Sequence, residues 1–192
     1  MQDYEECRKV VDETMDTYGR IDVLVNNAGV VSRGESFFKA DMEDIRRTMD
    51  INVMGTIHMI HAVSKYMADQ QKGTIVNIGS ICGTMANSES VGYHASKGAV
   101  EMVTKSLARE LSGYGIRVVC VSPGWVRTEM IDDTVAKIGA SLHMKGRIVE
   151  PEEIAGAVYL MTLDEASAVN GTTVMADDGY SAFKGIDGGQ RL

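Results

Sequence analysis

Residues 117–124 have the sequence Arg-Val-Val-Cys-Val-Ser-Pro-Gly, in which an apolar run rich in valine ends in small and polar residues. Ile21–Val25 is a similar run that ends in Asn-Asn-Ala-Gly. Near-continuous apolar runs of this length are typical of strands covered on both faces of a parallel sheet. Thr74–Ile78, which leads into Gly-Ser, is predicted to be a third strand.

The spacing of apolar residues predicts helices between these strands, at four places: 3–18, 41–68, 93–112 and Pro151 to about Met161. Asp3 can cap the first helix and Gly19 can end it. A variable stretch covers 125–149, and 172–175 is the last predicted strand. The alternation predicts an α/β, Rossmann-like doubly wound parallel sheet in one domain, residues 1–192, with a disordered tail over about 184–192.

Ligands bind at the carboxyl ends of parallel strands. The sequence concentrates its Gly, Ser and Asn residues at three such ends, 26–29, 77–80 and 122–124. These segments therefore mark the expected site.

The composition excludes several classes of protein. A chain of 192 residues with 44% hydrophobic and 24% charged residues is ordinary for one globular domain. The formal net charge of -8 argues against a nucleic-acid partner, since phosphate binding needs a basic face. Cys7, Cys82 and Cys120 form no CxxC pair and lie near no His cluster, which indicates a reducing compartment without a metal site. No segment resembles a membrane span or a signal peptide, so we expect a cytoplasmic protein.

Tyr93 and Lys97 lie four residues apart at the start of a predicted helix, so their side chains share one face. A tyrosine with a pKa of about 10 is a poor base at neutral pH, and an adjacent ammonium favours its phenolate. The pair could pass a proton to or from an alcohol oxygen. Because this spacing also occurs in surface pairs, it does not decide between the two roles by itself. Ser80, after the preceding strand, could hydrogen-bond a substrate carbonyl.

Six segments, taken together, resemble signatures of the short-chain dehydrogenase/reductase family, in its order and at roughly its spacing: Asn26-Asn27-Ala28-Gly29, Asp50-Ile51-Asn52-Val53, Asn77-Ile78-Gly79-Ser80, Tyr93-His94-Ala95-Ser96-Lys97, Ser122-Pro123-Gly124-Trp125-Val126-Arg127-Thr128 and Pro151-Glu152-Glu153-Ile154-Ala155. The resemblance covers about residues 3–180. None of the six segments is decisive alone, but six in order leave little room for chance.

The resemblance implies an oxidoreductase that interconverts a secondary alcohol and a ketone with NAD or NADP. Tyr93 would be the general acid/base, and Ser80 would orient and polarise the carbonyl. Lys97 would lower the pKa of Tyr93 and hold the nicotinamide ribose, and Asn52 would hold a water of a proton relay. The implied cofactor-binding set is Asn26, Ala28, Gly29, Tyr93, Lys97, Pro123, Gly124, Val126 and Thr128.

Other candidate residues have less specific interpretations. His58 and His61 are expected at an interface or in the core, and Cys82 is expected to pack rather than to line the pocket. His94 either touches substrate or faces solvent, and His143 is a candidate substrate contact. Apolar residues of the variable stretch either form a lid over a bulky substrate, such as a sterol or fatty-acyl group, or only pack against the protein: Met130, Ile131, Leu142 and Met144.

The family's opening strand, glycine-rich turn and helix, which bind the pyrophosphate, have no counterpart in this sequence. In the family's sheet order, 3-2-1-4-5-6-7, the remaining strands are the contiguous half 4 to 7. Ile21–Val25 would then be an exposed apolar edge. The helices over 41–68 and 93–112 pair subunits in the family, which implies a homo-oligomer, a dimer or a tetramer.

Three explanations of the short beginning stay open. Met1 is an internal methionine taken as a start, or the chain is a truncated product without activity, or it is a shortened interaction module. The truncated product and the interaction module would both bind no dinucleotide. The different-class alternative to an enzyme is therefore a non-catalytic fragment or interaction module.

Overall fold

A computed structural model of the protein describes residues 2–32, 34–129 and 131–182. Four strands form one parallel sheet in the order in which they occur in the chain: Val23–Asn26 (β1), Gly73–Ile78 (β2), Ile116–Pro123 (β3) and Thr173–Ala176 (β4). The described α-helices are Tyr4–Tyr18 (α1), Met42–Met49 (α2), Gly55–Gln70 (α3), Val91–Leu111 (α4), Asp133–Leu142 (α5) and Pro151–Thr162 (α6). The predicted α/β, Rossmann-like parallel sheet is confirmed.

Local signals define most helix ends. The Asp3 carboxylate accepts hydrogen bonds from the backbone N–H groups of Glu5 and Glu6, and Gly19 ends α1 with a φ of 73°. Pro151 occupies the first turn of α6. These caps agree with the sequence predictions because each depends on neighbours within one turn of helix.

Apolar side chains cover both faces of the sheet. On one face, Ile60 and Val63 of α3 pack with Ile75 of β2. On the other face, Val76 and Val119 pack against residues of α6. This burial, at roughly 25 cal/mol per Å² of apolar surface, orients the strands so that their carboxyl ends share one edge.

β1 differs from the prediction of a strand covered on both faces. Val23 and Val25 remain 38% and 40% exposed, and in the described part of the chain β1 pairs only with β2. The predicted apolar edge is thus present. The strand begins at Val23 because the Gln70 side chain takes the backbone N–H and C=O of Ile21 in hydrogen bonds of 3.1 and 2.8 Å.

The predicted long helix over 41–68 contains a π-helical turn at Asp50–Met54, between α2 and α3. The variable stretch over 125–149 contains α5, whose first turn is capped by the Asp132 carboxylate. Neither feature was predicted. A π turn has no apolar period of its own, and it is typical of functional sites. The predicted disordered tail lies outside the described residues.

No helix in the described ranges is both long and apolar enough to cross a membrane.

Candidate active site

The carboxyl end of β2 places Ser80 beside Tyr93. Ser80 lies two residues beyond the end of β2 and begins a 3₁₀ turn, where its Oγ accepts a 3.1 Å hydrogen bond from the Cys82 N–H. Tyr93 lies in the first turn of α4, and its side chain is near enough to Ser80 for the serine to lower its pKa. Two hydroxyl groups therefore converge on one point at the ligand-binding edge of the sheet.

Burial is the largest influence on the pKa of Tyr93. Desolvation raises the pKa of Tyr93 above its ordinary value, whereas the hydrogen bond with Ser80 lowers it and the neighbouring Cys82 raises it. The net shift is upward because the phenolate loses more hydration in the buried site than the neighbours restore. The expectation that Lys97 lowers this pKa stays a prediction. In this arrangement Tyr93 is a neutral proton donor.

Lys97 is the buried cation of the site. Its side chain is 7% exposed, and its Nζ lies 5.7 Å from the centroid of the Tyr93 ring. The Nζ donates a 2.8 Å hydrogen bond to the backbone oxygen of Ile78. Burial lowers the pKa of Lys97 from 10.5 to about 8, against the opposing effects of Cys120 and Cys82.

Asn52 lies in the π turn and is buried. Its amide forms 2.8 and 2.9 Å hydrogen bonds with the N–H and C=O of Val30, and its Nδ2 donates to the Ser96 Oγ at 2.9 Å. A side-chain carbon at Gly29 would lie 3.2 Å from the Asn52 Oδ1 and 3.7 Å from the Lys97 Nζ. The glycine thus leaves the approach to these two polar groups free of a side chain.

Two serines hold the catalytic segment in place and were not singled out from the sequence. The Ser32 Oγ accepts a 3.3 Å hydrogen bond from the backbone N–H of Tyr93, and the Ser96 Oγ donates to the Tyr93 carbonyl oxygen at 2.8 Å. Both side chains are buried. Ser96 lies within the Tyr93–Lys97 motif, which offered a signal. Ser32 is 61 residues distant from Tyr93, and no local pattern indicates the contact.

The predicted cofactor residues after β1 occupy the same edge of the sheet. Asn26 is buried, and its Nδ2 donates a 2.8 Å hydrogen bond to the Oδ1 of Asn77, its neighbour across the strands. The Oδ1 of Asn26 has no hydrogen-bond partner. Ala28 and Gly29 are exposed at the strand end. The unpartnered buried acceptor of Asn26 fits a polar ligand at this edge.

The segment after β3 contains the remaining cofactor candidates. Pro123, Gly124 and Val126 are half-buried, and Thr128 is exposed. A side-chain carbon at Gly124 would lie 2.6 Å from the His143 Nε2 and 3.0 Å from the Asp177 Cα. Gly124 is therefore required by packing within the protein, whatever its contact with a cofactor.

His143 is a structural residue in this arrangement. Its ring is buried, its Nε2 accepts a 3.2 Å hydrogen bond from the Trp125 N–H, and its Nδ1 lies 2.9 Å from the Arg147 carbonyl oxygen. These bonds require the neutral tautomer with the hydrogen on Nδ1. Both nitrogens are thus used within the protein, where they join the segment after α5 to the end of β3.

The other candidate residues also have defined positions. Cys82 is half-buried, and it influences the pKa values of both Tyr93 and Lys97, so it lies at the site. His58 and His61 contact Tyr4 where α1 packs on α3, at ring distances of 5.6 and 5.3 Å. Both rings thus pack within the chain, between α1 and α3, and the expected interface or core role stays a prediction.

The apolar residues expected in a lid differ in how far they are exposed. Ile131 and Leu142 are half-buried, whereas Met144 is 55% exposed and packs over Gly179. Met130 lies outside the described residues. The segment after α5 is anchored by Asp178, whose carboxylate accepts from the Lys145 N–H at 2.7 Å.

Glu101 is a buried acid that the sequence did not indicate. It lies one turn beyond Lys97 on α4, is 5% exposed, and accepts a 3.3 Å hydrogen bond from the Ser122 Oγ. Burial raises the pKa of Glu101 above its ordinary value. A side-chain carbon at Gly83 would lie 2.6 Å from its Oε1, so Glu101 packs between the Ser80 turn and the end of β3.

Within residues 2–32, 34–129 and 131–182, no three His, Cys, Asp or Glu side chains are grouped so as to hold a metal ion.

Comparison with known proteins agrees with this geometry. Residues 1–181 match the family model described as enoyl-(acyl carrier protein) reductase. A 3-oxoacyl-[acyl-carrier-protein] reductase of Synechocystis is 36% identical over 180 residues, which are 93% of this chain and 72% of the relative. A 3alpha-hydroxysteroid dehydrogenase of Mediterraneibacter gnavus is 36% identical over 180 residues, covering 92% of this chain and 72% of the relative.

A solved structure is also similar. The gluconate 5-dehydrogenase of Burkholderia cenocepacia, in complex with NADP and tartrate, superposes with a TM-score of 0.90 at 29% identity. The match covers 95% of this chain and 73% of that structure. The chain belongs to the short-chain dehydrogenase/reductase family of oxidoreductases. The resemblance found in the sequence is thereby confirmed.

Proposed function

We propose that this protein interconverts a secondary alcohol and a ketone with NAD or NADP, and that Tyr93 is the general acid/base. The observation that supports this most directly is the proximity of the Ser80 and Tyr93 side chains beside the buried Lys97, whose Nζ lies 5.7 Å from the centroid of the Tyr93 ring. The pair lies where parallel sheets bind ligands. Hydroxyl groups converging on one point are suited to hold a carbonyl oxygen and to give it a proton.

In the reducing direction, the ketone oxygen accepts hydrogen bonds from the Ser80 and Tyr93 hydroxyls. When bound, the cofactor supplies the hydride that reaches the carbonyl carbon. Tyr93 gives its proton to the oxygen as the alcohol forms, and the nearby Lys97 ammonium stabilises the resulting phenolate. In the oxidising direction the same proton returns to Tyr93.

We propose that the proton is replaced through Lys97 and a water beside Asn52. The Lys97 pKa of about 8 is suited to a group that gives and regains a proton near neutrality. The space that Gly29 leaves between the Lys97 Nζ and the Asn52 Oδ1 is the place for that water. Asn52 is held by Val30 and Ser96, so its amide is a fixed partner.

The residues that would hold the cofactor lie at the ends of β1 and β3. Asn26, Ala28 and Gly29 would line it on one side, and Lys97 would contact the nicotinamide ribose. On the other side, the backbone after β3 would fix the carboxamide with four further residues: Pro123, Gly124, Val126 and Thr128.

For the substrate we propose a bulky apolar alcohol or ketone, such as a steroid or a fatty-acyl compound. The half-buried Ile131 and Leu142 support this proposal. Two relatives are named for such substrates, the 3-oxoacyl reductase and the hydroxysteroid dehydrogenase. A preference for small polyols over steroids and acyl thioesters would contradict this part of the proposal.

The test is a steady-state assay of NADPH and NADH oxidation with a panel of ketones, comparing the unchanged protein with Tyr93→Phe. Loss of the hydroxyl should lower kcat by roughly 10²–10⁴-fold, the usual contribution of general acid/base catalysis. Tyr159→Phe is the matched control because Tyr159 is exposed on α6, remote from the site. Equal activity of the Tyr93→Phe and Tyr159→Phe variants would overturn the proposed role of Tyr93.

A second candidate function is a non-catalytic interaction module. The apolar β1 edge, with Val23 and Val25 partly exposed, favours pairing with another chain. Fluorescence titration of NADH and NADPH separates the two candidates, since the module would be folded yet would bind neither dinucleotide. Saturable binding with energy transfer from Trp125 would support the enzyme.

We also propose a cytoplasmic homo-oligomer, a dimer or a tetramer. Exposed apolar side chains on α4 and α6 support self-association, among them Met102, Tyr159 and Leu160. Cys82 and Cys120 are free thiols, which suits a reducing compartment. Sedimentation analysis of the purified protein would test the oligomer, and a monomer at micromolar concentration would contradict it.

A further inference from the structure

The loop formed by residues 84–90 joins the two hydroxyl-bearing residues of the site. It follows the Ile81–Gly83 turn that begins at Ser80, and it ends at Ser90, which caps α4 just before Tyr93. Residues 84–89 are exposed. A substrate whose carbonyl oxygen lies between Ser80 and Tyr93 therefore has this loop as its neighbour on the open side of the site.

The end of this loop has an unfavourable backbone conformation. Glu89 and Ser90 have φ angles of 68° and 74°, the left-handed region that residues other than glycine rarely adopt. Two such residues in succession persist only where surrounding contacts compensate for the strain. The loop therefore depends on specific contacts for its shape.

His94 supplies these contacts from the first turn of α4. Its Nδ1 lies 2.9 Å from the Ser90 carbonyl oxygen, and its Nε2 accepts a 3.3 Å hydrogen bond from the Asn87 N–H. A carbonyl oxygen can only accept and a backbone N–H can only donate, so the ring is the neutral tautomer with hydrogen on Nδ1. One side chain thus bridges the middle and the strained end of the loop.

Tyr93 itself has separate support. Its backbone N–H points to the Ser32 Oγ at 3.3 Å and the Ser90 oxygen at 3.0 Å, and its side chain interacts with Ser80. The His94 ring contacts the Tyr93 ring only edge-on, with centroids 6.5 Å apart. A change of His94 can therefore alter the loop without removing the partners that hold the Tyr93 hydroxyl.

We propose that His94 is a positioning residue that fixes the 84–90 loop as the substrate-side wall of the site, an inference that rests on the proposed alcohol/ketone oxidoreduction. Without the His94 nitrogens, the 84–90 loop can relax from its strained backbone conformation. The substrate then binds a less ordered wall, whereas proton transfer by Tyr93 continues once the substrate is in place.

The experiment compares His94→Phe, which keeps a ring without nitrogens, with His94→Gln, whose amide oxygen can again accept from the Asn87 N–H. Steady-state assays give KM and kcat for the ketone and KM for NADPH. Hydrogen exchange followed by mass spectrometry gives the protection of the peptide that contains Asn87. His58→Phe on α3 is the control for removal of a histidine outside the site.

For His94→Phe we expect KM of the ketone to rise about fivefold, the factor of roughly one net hydrogen bond, with kcat and KM of NADPH within twofold. The Asn87 amide should lose protection. His94→Gln should restore the KM of the ketone and the protection of the Asn87 amide in large part, and His58→Phe should change neither. This pattern separates positioning from a general loss of stability, which would reduce the active fraction without changing KM.

Two results would overturn the inference: unchanged protection of Asn87 in His94→Phe, or a fall of kcat with an unchanged KM. The failure of the proposed function is distinguishable from both. Absence of turnover in the unchanged protein would remove the function and the substrate half of the inference, whereas the exchange comparison would still decide whether His94 holds the loop.

Discussion

The Lys97 Nζ donates a 2.8 Å hydrogen bond to the backbone oxygen of Ile78, at the last residue of β2. The ammonium is therefore anchored to the sheet rather than to a carboxylate. Burial lowers its pKa to about 8, and the groups that oppose this are the thiols of Cys120 and Cys82, whose own pKa values burial raises. Lys97 is thus a buried amine whose charged form is costly, and this has a measurable consequence for stability.

Replacement of Lys97 by Met should change how stability depends on pH. The folded-state pKa of about 8 lies below the unfolded value of about 10.5, so the unfolded chain binds more protons between these values. Relative to Lys97→Met, the unchanged protein should become more stable as pH rises from 8 to 10.5, by up to about 3 kcal/mol. Urea unfolding of both proteins across this range measures the difference. Lys65→Met, at an exposed position on α3, should show no such trend. If the difference in unfolding free energy between the unchanged protein and Lys97→Met did not change with pH, the lowered pKa of Lys97 would be contradicted.

Replacement of Glu101 by Gln tests the buried carboxyl. Because burial raises the pKa of Glu101 in the folded state, the folded chain binds more protons, and its stability should fall as pH rises above about 4.5. Glu101→Gln should remove that fall, so the variant should match or exceed the unchanged protein in unfolding free energy at pH 8. Thermal unfolding at pH 5 and pH 8 measures this effect. Glu110→Gln on the exposed face of α4 is the control. A Glu101→Gln protein that is destabilised more at pH 8 than at pH 5 would contradict the inference that burial disfavours the ionised carboxylate of Glu101.

Replacement of Gly29 by Ala tests the proposed proton relay. The added carbon would lie 3.2 Å from the Asn52 Oδ1 and 3.7 Å from the Lys97 Nζ, in the space assigned to the relay water. We expect kcat to fall about tenfold, corresponding to roughly 1.4 kcal/mol, with little change in unfolding free energy. The measurement is kcat at several buffer concentrations, since a small buffer acid could replace the blocked relay. Gly156→Ala is the control because no atom lies within 4 Å of the added carbon, and it should leave kcat unchanged. Equal kcat values of Gly29→Ala and Gly156→Ala would contradict the proposed relay.

Replacement of Arg117 by Met tests the connection between β3 and α6. The guanidinium donates to the carbonyl oxygens of Met161, Val169 and Leu163 at 2.7, 3.0 and 3.2 Å. Loss of these bonds leaves acceptors at the end of α6 without partners and should cost roughly 3 kcal/mol of stability. Urea unfolding measures the change. Arg109→Met, at an exposed position of α4, should cost less than about 0.5 kcal/mol, and equal costs for the two variants would contradict this role.

The sequence by itself determined the features that depend on near neighbours. The Asp3 cap, the Gly19 end of α1 and the position of Pro151 each follow from interactions within one helical turn. The apolar runs Ile21–Val25 and Arg117–Val121 likewise predicted strands whose carboxyl ends meet, which the structure has at Val23–Asn26 and Ile116–Pro123. The motif from Tyr93 to Lys97 predicted one shared helix face, since helical spacing is local.

Only the tertiary structure decided how the side chains use those positions. The neutral state of Tyr93 and the pKa of Lys97 arise from desolvation, which depends on everything packed around them. His143 and His94 became structural bridges because their partners at Trp125 and Asn87 are brought near by folding. The π turn that aims Asn52 at Val30 and Ser96 has the same origin: the hydrogen-bond partners that stabilise it are more than twenty residues away, and no local pattern encodes contacts at that distance.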